Sequence, residues 1–134
     1  MISDSDQKFR QDVENCDWVA GSFGHEEHIR LAWIYLQEYD TNEATDRCRA
    51  TLRQFAEFHG DYEKYHDTLT IAFMRLIATH VAETPSTEDW ESFRARVRPL
   101  FESARELIGA HYSKERLAQP EARKGFVPPD RKPL

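Results

Sequence analysis

The sequence predicts an all-α protein, a single-domain antiparallel bundle of four main helices that occupies residues 1–134. Apolar residues recur at helical spacing through most of the chain, and no segment shows the alternation of a half-buried strand. The connections between these segments are short, which favours antiparallel neighbours. With 134 residues, of which only five are glycine, the chain has the size of one ordinary domain with few helix interruptions.

The first main helix is predicted over residues 25–39, after a short N-terminal helix or ordered arm over residues 1–20. Its apolar residues fall on one face at helical spacing, and its charged residues fall on the other. We expect Ser22 to cap its N-terminus. Arg30 is expected to form a surface ion pair with Glu26, one turn before it on the helix.

The second and third main helices are bounded by turn residues. The second is predicted over residues 42–58, with Thr41 as its N-cap and Gly60 as its C-terminal stop. The third is predicted over residues 63–82 on the basis of a broad apolar face, and Pro85 marks its end.

The C-terminal third is predicted to contain shorter helices and an extended tail. Ser86 and Asp89 resemble a capping box at the start of a fourth helix over residues 87–98. A fifth helix is expected over residues 100–110. The last seven residues contain three prolines, so residues 125–134 are expected to form an extended, proline-rich tail.

Composition and charge exclude several classes of protein. The formal net charge is −6, which repels phosphate backbones, so no nucleic-acid partner is expected. The most apolar stretch, residues 69–78, is interrupted by Arg75 and is too short to span a membrane. Cys16 and Cys48 show no metal-binding or disulfide pattern, and the N-terminus is polar. These features predict a cytoplasmic protein.

Three histidines are the strongest candidates for a functional site. His25 and His28 are three apart at the start of the first main helix, and His66 lies at the start of the third. In an up-down-up-down bundle the first and third helices run parallel, so their N-terminal ends lie at the same end. The pattern therefore predicts that the three imidazoles come together.

Several roles are open for this histidine cluster. It would bind one divalent metal ion, iron or zinc, with Glu63 or Asp67 as an additional ligand, or it would orient a ligand. Without a metal, His28 or His66 would act as a general base. The histidines would otherwise only tie helix ends to loops. Further candidates for contact with a cofactor or ligand are Trp33, Tyr35, Tyr65, Thr70 and Arg30.

Two sequence blocks carry a resemblance to a known family. They read FxHxxHIRxAWxYL over residues 23–36 and KYHxTLTxAF over residues 64–73, and a Phe-Val-x-Pro-Asp segment follows in the tail. In these blocks the chain resembles a family of small, all-helical bacterial proteins of unknown function. The resemblance implies that the three histidines matter, but it implies no activity, and the family pattern does not require His59.

The function predicted from sequence is a histidine-centred pocket for a small molecule, with a metal-dependent enzyme as one form of it. The alternative is a non-enzymatic interaction module that docks a partner through aromatic residues and the proline-rich tail. In that alternative the histidines are structural. A homodimer formed through the tail is compatible with either function.

Overall fold

The computed structural model describes residues 1–83 and 87–134, and it confirms the all-α prediction. No strand occurs within these two ranges. The α-helices are α1 (Asp4–Glu14), α2 (His25–Glu38), α3 (Thr41–Phe58), α4 (Asp67–Ala82), α5 (Trp90–Arg96), α6 (Pro99–Glu102), α7 (Ala104–Gly109), α8 (Lys114–Ala118) and α9 (Pro120–Lys124). Short 3-10 turns are formed by Ala20–Ser22 and Tyr62–Lys64.

Helices α2, α3 and α4 pack against one another and form the centre of the bundle. The middle of α2 is buried on all sides, because α1, α3, α4 and the C-terminal helices surround it. Trp33 has its ring centroid 5.6 Å from that of Trp90 and 6.2 Å from that of Phe93. Each fully buried side chain of this size stabilises the fold by about 1.5–3 kcal/mol, so α2 anchors the rest of the structure. No helix in the described ranges has the length and apolarity needed to cross a bilayer.

The predicted N-caps of α2 and α3 were wrong by one or two residues. Gly24, rather than Ser22, is the N-cap of α2, and its N–H donates to the Glu27 carboxylate over 2.7 Å. Asp40, rather than Thr41, is the N-cap of α3. In both helices a carboxylate near the positive N-terminus accepts a backbone N–H and stabilises the first turn.

The third main helix begins later than the sequence predicted. Residues 63–65 are not part of an α-helix. Tyr62–Lys64 forms a 3-10 turn, and α4 starts at Asp67. His66 is the N-cap, and its Nδ1 accepts the N–H of Leu69 over 3.2 Å. Apolar spacing alone does not distinguish such a turn from the first turn of a helix, which explains the error.

The predicted ion pair between Arg30 and Glu26 is also absent from the described residues. Arg30 instead pairs with Asp6 of α1, with Nη2 2.7 Å from Oδ1, and its guanidinium lies 4.7 Å from the ring centroid of Phe9. Glu26 pairs with Arg94 of α5 over 2.7 Å. Asp6 is only 2% exposed. Arg30 therefore stabilises the packing of α1 on α2, because a nearly buried carboxylate needs a charged partner.

The C-terminal third is more broken than expected. The fourth helix covers only Trp90–Arg96, with Asp89 as its N-cap. The expected fifth helix is divided into Pro99–Glu102 and Ala104–Gly109. The predicted roles of Pro85 and Ser86 lie outside the described residues.

The C-terminal tail is extended, as predicted, and it is fixed to the body by hydrogen bonds. The Tyr112 hydroxyl donates to the carbonyl of Val127 over 2.7 Å. The N–H of Ser113 donates to the Asp130 carboxylate over 2.8 Å. The N–H of Arg131 donates to the carbonyl of His111 over 3.0 Å. These contacts hold residues 125–134 along the helices of the C-terminal third.

Candidate functional site

A pocket of about 370 Å³ lies at the end of the bundle where α2 and α4 begin and α3 ends. His25, His28 and His66 all line it. This placement is the one expected if the first and third main helices run parallel. The other lining residues are Ala20, Phe23, Gly24, Leu52, Phe55, Ala56, His59, Asp61, Lys64, Tyr65, Leu69 and Thr70.

The C-terminus of α3 adds a fourth histidine, His59, which sequence reasoning did not select. Gly60 adopts a left-handed conformation with φ of +73°. Its N–H donates to the carbonyl of Glu57, and the N–H of Asp61 donates to that of Ala56 over 2.8 Å. This double hydrogen bond is a Schellman motif, and it turns the chain so that His59 and Asp61 both line the pocket. A signal was available, because an antiparallel α3 must end where α2 and α4 begin.

Two of the four imidazoles are bound to the backbone. His66 uses both ring nitrogens, since Nδ1 caps α4 and Nε2 donates to the carbonyl of Leu117 over 2.9 Å. The Nε2 of His25 donates to the carbonyl of Leu100 over 2.8 Å. A carbonyl oxygen only accepts, so both Nε2 atoms carry a proton. These hydrogen bonds attach the end of the bundle to the C-terminal helices.

The other two imidazoles have no such partner. The Nε2 atoms of His28 and His59 are buried, and neither forms a hydrogen bond with any residue in the ranges 1–83 and 87–134. A buried polar atom without a partner costs about 1–3 kcal/mol of stability. Such atoms are rare in native proteins and indicate a place where water, an ion or a ligand supplies the missing bond.

The protonation state of His28 follows from its surroundings. Burial, followed by the nearby His25 ring, lowers the pKa of His28 from 6.5 to about 4. The ring is therefore neutral at pH 7. A neutral imidazole has one donor and one acceptor nitrogen, so His28 can offer a ligand either kind of hydrogen bond, depending on its tautomer.

The remaining lining includes a cluster of aromatic rings and carries no net charge. The rings of Phe23 and Phe55 lie 5.0 Å apart, and the ring of His59 lies 4.4 Å from that of Phe55. The two charged lining residues are Asp61 and Lys64, whose Oδ1 and Nζ atoms are 3.6 Å apart. These two charges therefore compensate each other.

Tyr65 and Thr70 line the pocket, but their hydroxyl groups bond elsewhere. The hydroxyl of Tyr65 donates to Asp67 over 2.5 Å, and that of Thr70 donates to the carbonyl of His66 over 2.9 Å. Burial first, and then the hydrogen bond to Asp67, raises the pKa of Tyr65 above its ordinary value. Both residues therefore contribute shape to the pocket in this structure.

Trp33, Tyr35 and Arg30 do not line the pocket. Trp33 and Tyr35 are each 1% exposed and belong to the core. The Tyr35 hydroxyl donates to the Glu14 carboxylate over 2.7 Å. Arg30 is engaged with α1, as described above.

An ion-pair network around the buried Asp67 supports the start of α4. Arg49 contacts both carboxylate oxygens of Asp67 at 2.9 Å, and Arg53 lies 3.3 Å from one of them. Burial alone would raise the pKa of Asp67, but the hydrogen bonds from Arg49 and Tyr65 and the two guanidinium charges lower it below its ordinary value. Asp67 is thus an ionised partner of α3, and it is not free to bind a ligand.

No group of three or more His, Cys, Asp or Glu side chains within the described part of the chain is placed to hold a metal ion. A site that includes His66 would require it to give up a hydrogen bond to the backbone, because both of its ring nitrogens are engaged. The metal ion expected from the sequence stays a prediction.

Fold and pocket together define an all-α protein with a histidine-lined pocket at one end of its central three helices. In comparisons with family models, curated proteins and solved structures, nothing matched the chain. The resemblance of its two sequence blocks to a helical bacterial family therefore stays a prediction.

Proposed function

We propose that the protein binds a neutral, planar small molecule in the pocket at the end of the bundle, with His28 and His59 as its hydrogen-bonding partners. The observation that carries this proposal is the pair of buried Nε2 atoms without partners in the described residues. A ligand that bonds to both atoms would recover the free energy lost by their burial. Both atoms belong to residues that line the same pocket.

Size, shape and charge support this choice of ligand. A volume of about 370 Å³ lies near the lower end of the range for small-molecule pockets, about 300–1,000 Å³. The rings of Phe23, Phe55 and His59 form one aromatic wall, which favours a flat, unsaturated molecule. Because Asp61 and Lys64 compensate each other, a charged ligand would gain little here.

The four histidines have different roles in this proposal. His25 and His66 are positioning residues, since their hydrogen bonds to Leu100 and Leu117 fix the geometry of the pocket. His28 and His59 contact the ligand. If the bound molecule is converted, the proton acceptor is His28 rather than His66, because both nitrogens of His66 are already engaged.

The test is a ligand-observed NMR screen with a library of neutral heteroaromatic fragments. The wild type is compared with Ala56→Phe, which adds a ring to the pocket wall without altering a histidine. The matched control is Ala50→Phe, the same substitution at an exposed position of the same helix that does not line the pocket. Histidine-selective nitrogen labelling reports on the Nε2 atoms of His28 and His59.

We expect a subset of fragments to bind the wild type and Ala50→Phe but not Ala56→Phe, and to shift the Nε2 resonances of His28 and His59. If no fragment distinguishes Ala56→Phe from the two other proteins, the proposal is wrong. That outcome would favour the interaction-module alternative, in which the histidines are structural.

A further inference from the structure

A second cavity, of about 690 Å³, lies beside the first and shares His25 and Leu69 with it. It lies between the start of α4 and the helices α7 and α8. Its other lining residues are Phe73, Ala104, Arg105, Ile108, Gly109, Tyr112, Lys114, Glu115, Leu117 and Arg131.

The floor of the second cavity is apolar and packs against the hydrophobic core. Ile108 is 6% exposed and Tyr112 is 1% exposed. Phe73 belongs to the core cluster, and its ring packs edge-to-face with that of His25, with 5.2 Å between the ring centroids. Leu69 and Leu117 are partly buried against the same core. The floor can therefore accept an apolar body of several carbon atoms.

The rim of the second cavity is cationic. It carries Arg105, Lys114 and Arg131 against a single carboxylate, that of Glu115, which gives a local charge of +2 in a chain of net charge −6. In the part of the chain that the structure describes, no carboxylate lies within 4.0 Å of the side-chain nitrogens of Arg105 or Lys114. Arg131 is held at the rim by a hydrogen bond from Nη1 to the carbonyl of Gly109 over 2.7 Å.

We propose that this second cavity binds an amphipathic organic acid, with a carboxylate at the cationic rim and an alkyl or aryl body on the apolar floor. The carboxylate would accept charge-assisted hydrogen bonds from Arg105 and Lys114, which are about twice as strong as neutral ones. The body would bury its apolar surface against Phe73 and Ile108. Unpaired cations above an apolar floor match both parts of such a molecule.

This proposal is independent of the one made for the first pocket. The first pocket has compensated charges and unpaired imidazoles, whereas the second has excess positive charge and uses neither His28 nor His59. Variants of Arg105 and Lys114 therefore test only the second cavity, and Ala56→Phe tests only the first.

The experiment is isothermal titration calorimetry of the full chain with octanoate, octanol and octylamine, which share one alkyl body and differ in head-group charge. The variants are Arg105→Glu and Lys114→Glu, both at exposed positions where folding should be unaffected. The matched control is Lys124→Glu, an equal charge change at an exposed lysine that does not line the cavity. Circular dichroism checks that each variant is folded.

We expect octanoate to bind the wild type at least about tenfold more tightly than octanol, and octylamine to show no binding. Each charge reversal at the rim should weaken octanoate binding at least about tenfold, while Lys124→Glu leaves it unchanged. Equal affinities for octanoate and octanol, or equal losses in Lys124→Glu and the rim variants, would overturn the proposal. Loss of octanoate binding in Ala56→Phe alone would also overturn it, because that result assigns the acid to the first pocket. The proposal would also be overturned if octanoate did not bind the wild type.

Discussion

Replacing His28 by phenylalanine should make the ligand-free protein more stable while abolishing ligand binding in the first pocket. The substitution removes a buried Nε2 that has no partner among the described residues, and so relieves a cost of about 1–3 kcal/mol. A benzene ring is larger than an imidazole, and overpacking a core typically costs about 1–3 kcal/mol. His28 borders an open pocket, so most of that strain can relax. We expect a net gain of about 1 kcal/mol at pH 7.

The pH dependence makes this prediction more specific. The folded-state pKa of His28 is about 4, against an ordinary value of 6.5. Between these two values His28 binds more protons in the unfolded chain than in the folded one, so its contribution to the free energy of unfolding rises with pH up to about 6.5. At about 1.4 kcal/mol per pH unit, this contribution approaches about 3 kcal/mol. It is lost progressively as the pH falls from about 6.5 to about 4, and it is absent in His28→Phe.

The assay is urea denaturation at several pH values between about 4.5 and 8, followed by circular dichroism. The quantity of interest is the difference in unfolding free energy between the wild type and His28→Phe, because Asp67 and the other titrating groups contribute to both proteins and cancel. The control is His80→Phe, the same substitution in the last turn of α4, outside the pocket. This control keeps His28, so its free energy of unfolding should retain the His28 contribution to the pH dependence.

The advantage of His28→Phe should therefore grow as the solution becomes more acidic. A constant difference from about pH 4.5 to 8 would show that His28 titrates as it does in the unfolded chain, and that its ring is not desolvated. A loss of several kcal/mol at pH 7 would show that Nε2 has a stabilising partner. Either result would refute the description of His28 as a buried imidazole awaiting a ligand.

Three further predictions concern the supports of the site and the metal. Asp67→Asn should lower the free energy of unfolding by about 2 kcal/mol in urea denaturation, because Arg49 and Arg53 would lose their counter-charge. This loss is smaller than the roughly 3–5 kcal/mol expected for a fully buried pair, because both arginines are partly exposed; an unchanged denaturation midpoint would contradict the network. Gly60→Ala should lower the free energy of unfolding by about 1 kcal/mol in the same assay, because φ is +73° there and an added Cβ would make no contact that offsets the strain. An unchanged free energy of unfolding would argue against the left-handed turn. Elemental analysis of untagged protein purified without chelator should find metal well below one equivalent, because His66 uses both ring nitrogens in hydrogen bonds to the backbone. Stoichiometric iron or zinc that is lost in His66→Ala would instead support the metal centre predicted from the sequence.

The central helices could be predicted from the sequence because their apolar periodicity and their terminal residues agree. Helix α3 ends at Phe58, as predicted, and the left-handed Gly60 follows its C-cap. The bounds of α2 and α3 each deviate from the prediction by only one residue. The parallel direction of α2 and α4 followed from bundle topology, and the structure places His25, His28 and His66 around one pocket. Local pattern and global topology were sufficient for that part of the site.

The tertiary partners of polar side chains could not be predicted. Arg30 has a neighbour at the favourable helical spacing in Glu26, yet it pairs with Asp6, because a buried carboxylate gains more from a charged partner than an exposed one does. The same limit applies to His66, whose role as N-cap depends on where α4 begins. Sequence spacing does not contain that information.

The unpartnered imidazoles are the strongest indication that the first pocket has a function. Arg10 and Arg53 also have a buried Nε without a hydrogen-bond partner in the described residues. In these two residues, however, another guanidinium nitrogen pairs with a carboxylate: that of Arg10 with Glu38, and that of Arg53 with Asp67. The Nε2 atoms of His28 and His59 have no hydrogen-bond partner within residues 1–83 and 87–134, and both residues line the pocket. A core that served stability alone would be better filled by apolar side chains at these positions. Their burial beside a pocket is explained if a ligand, rather than the protein, completes their hydrogen bonds.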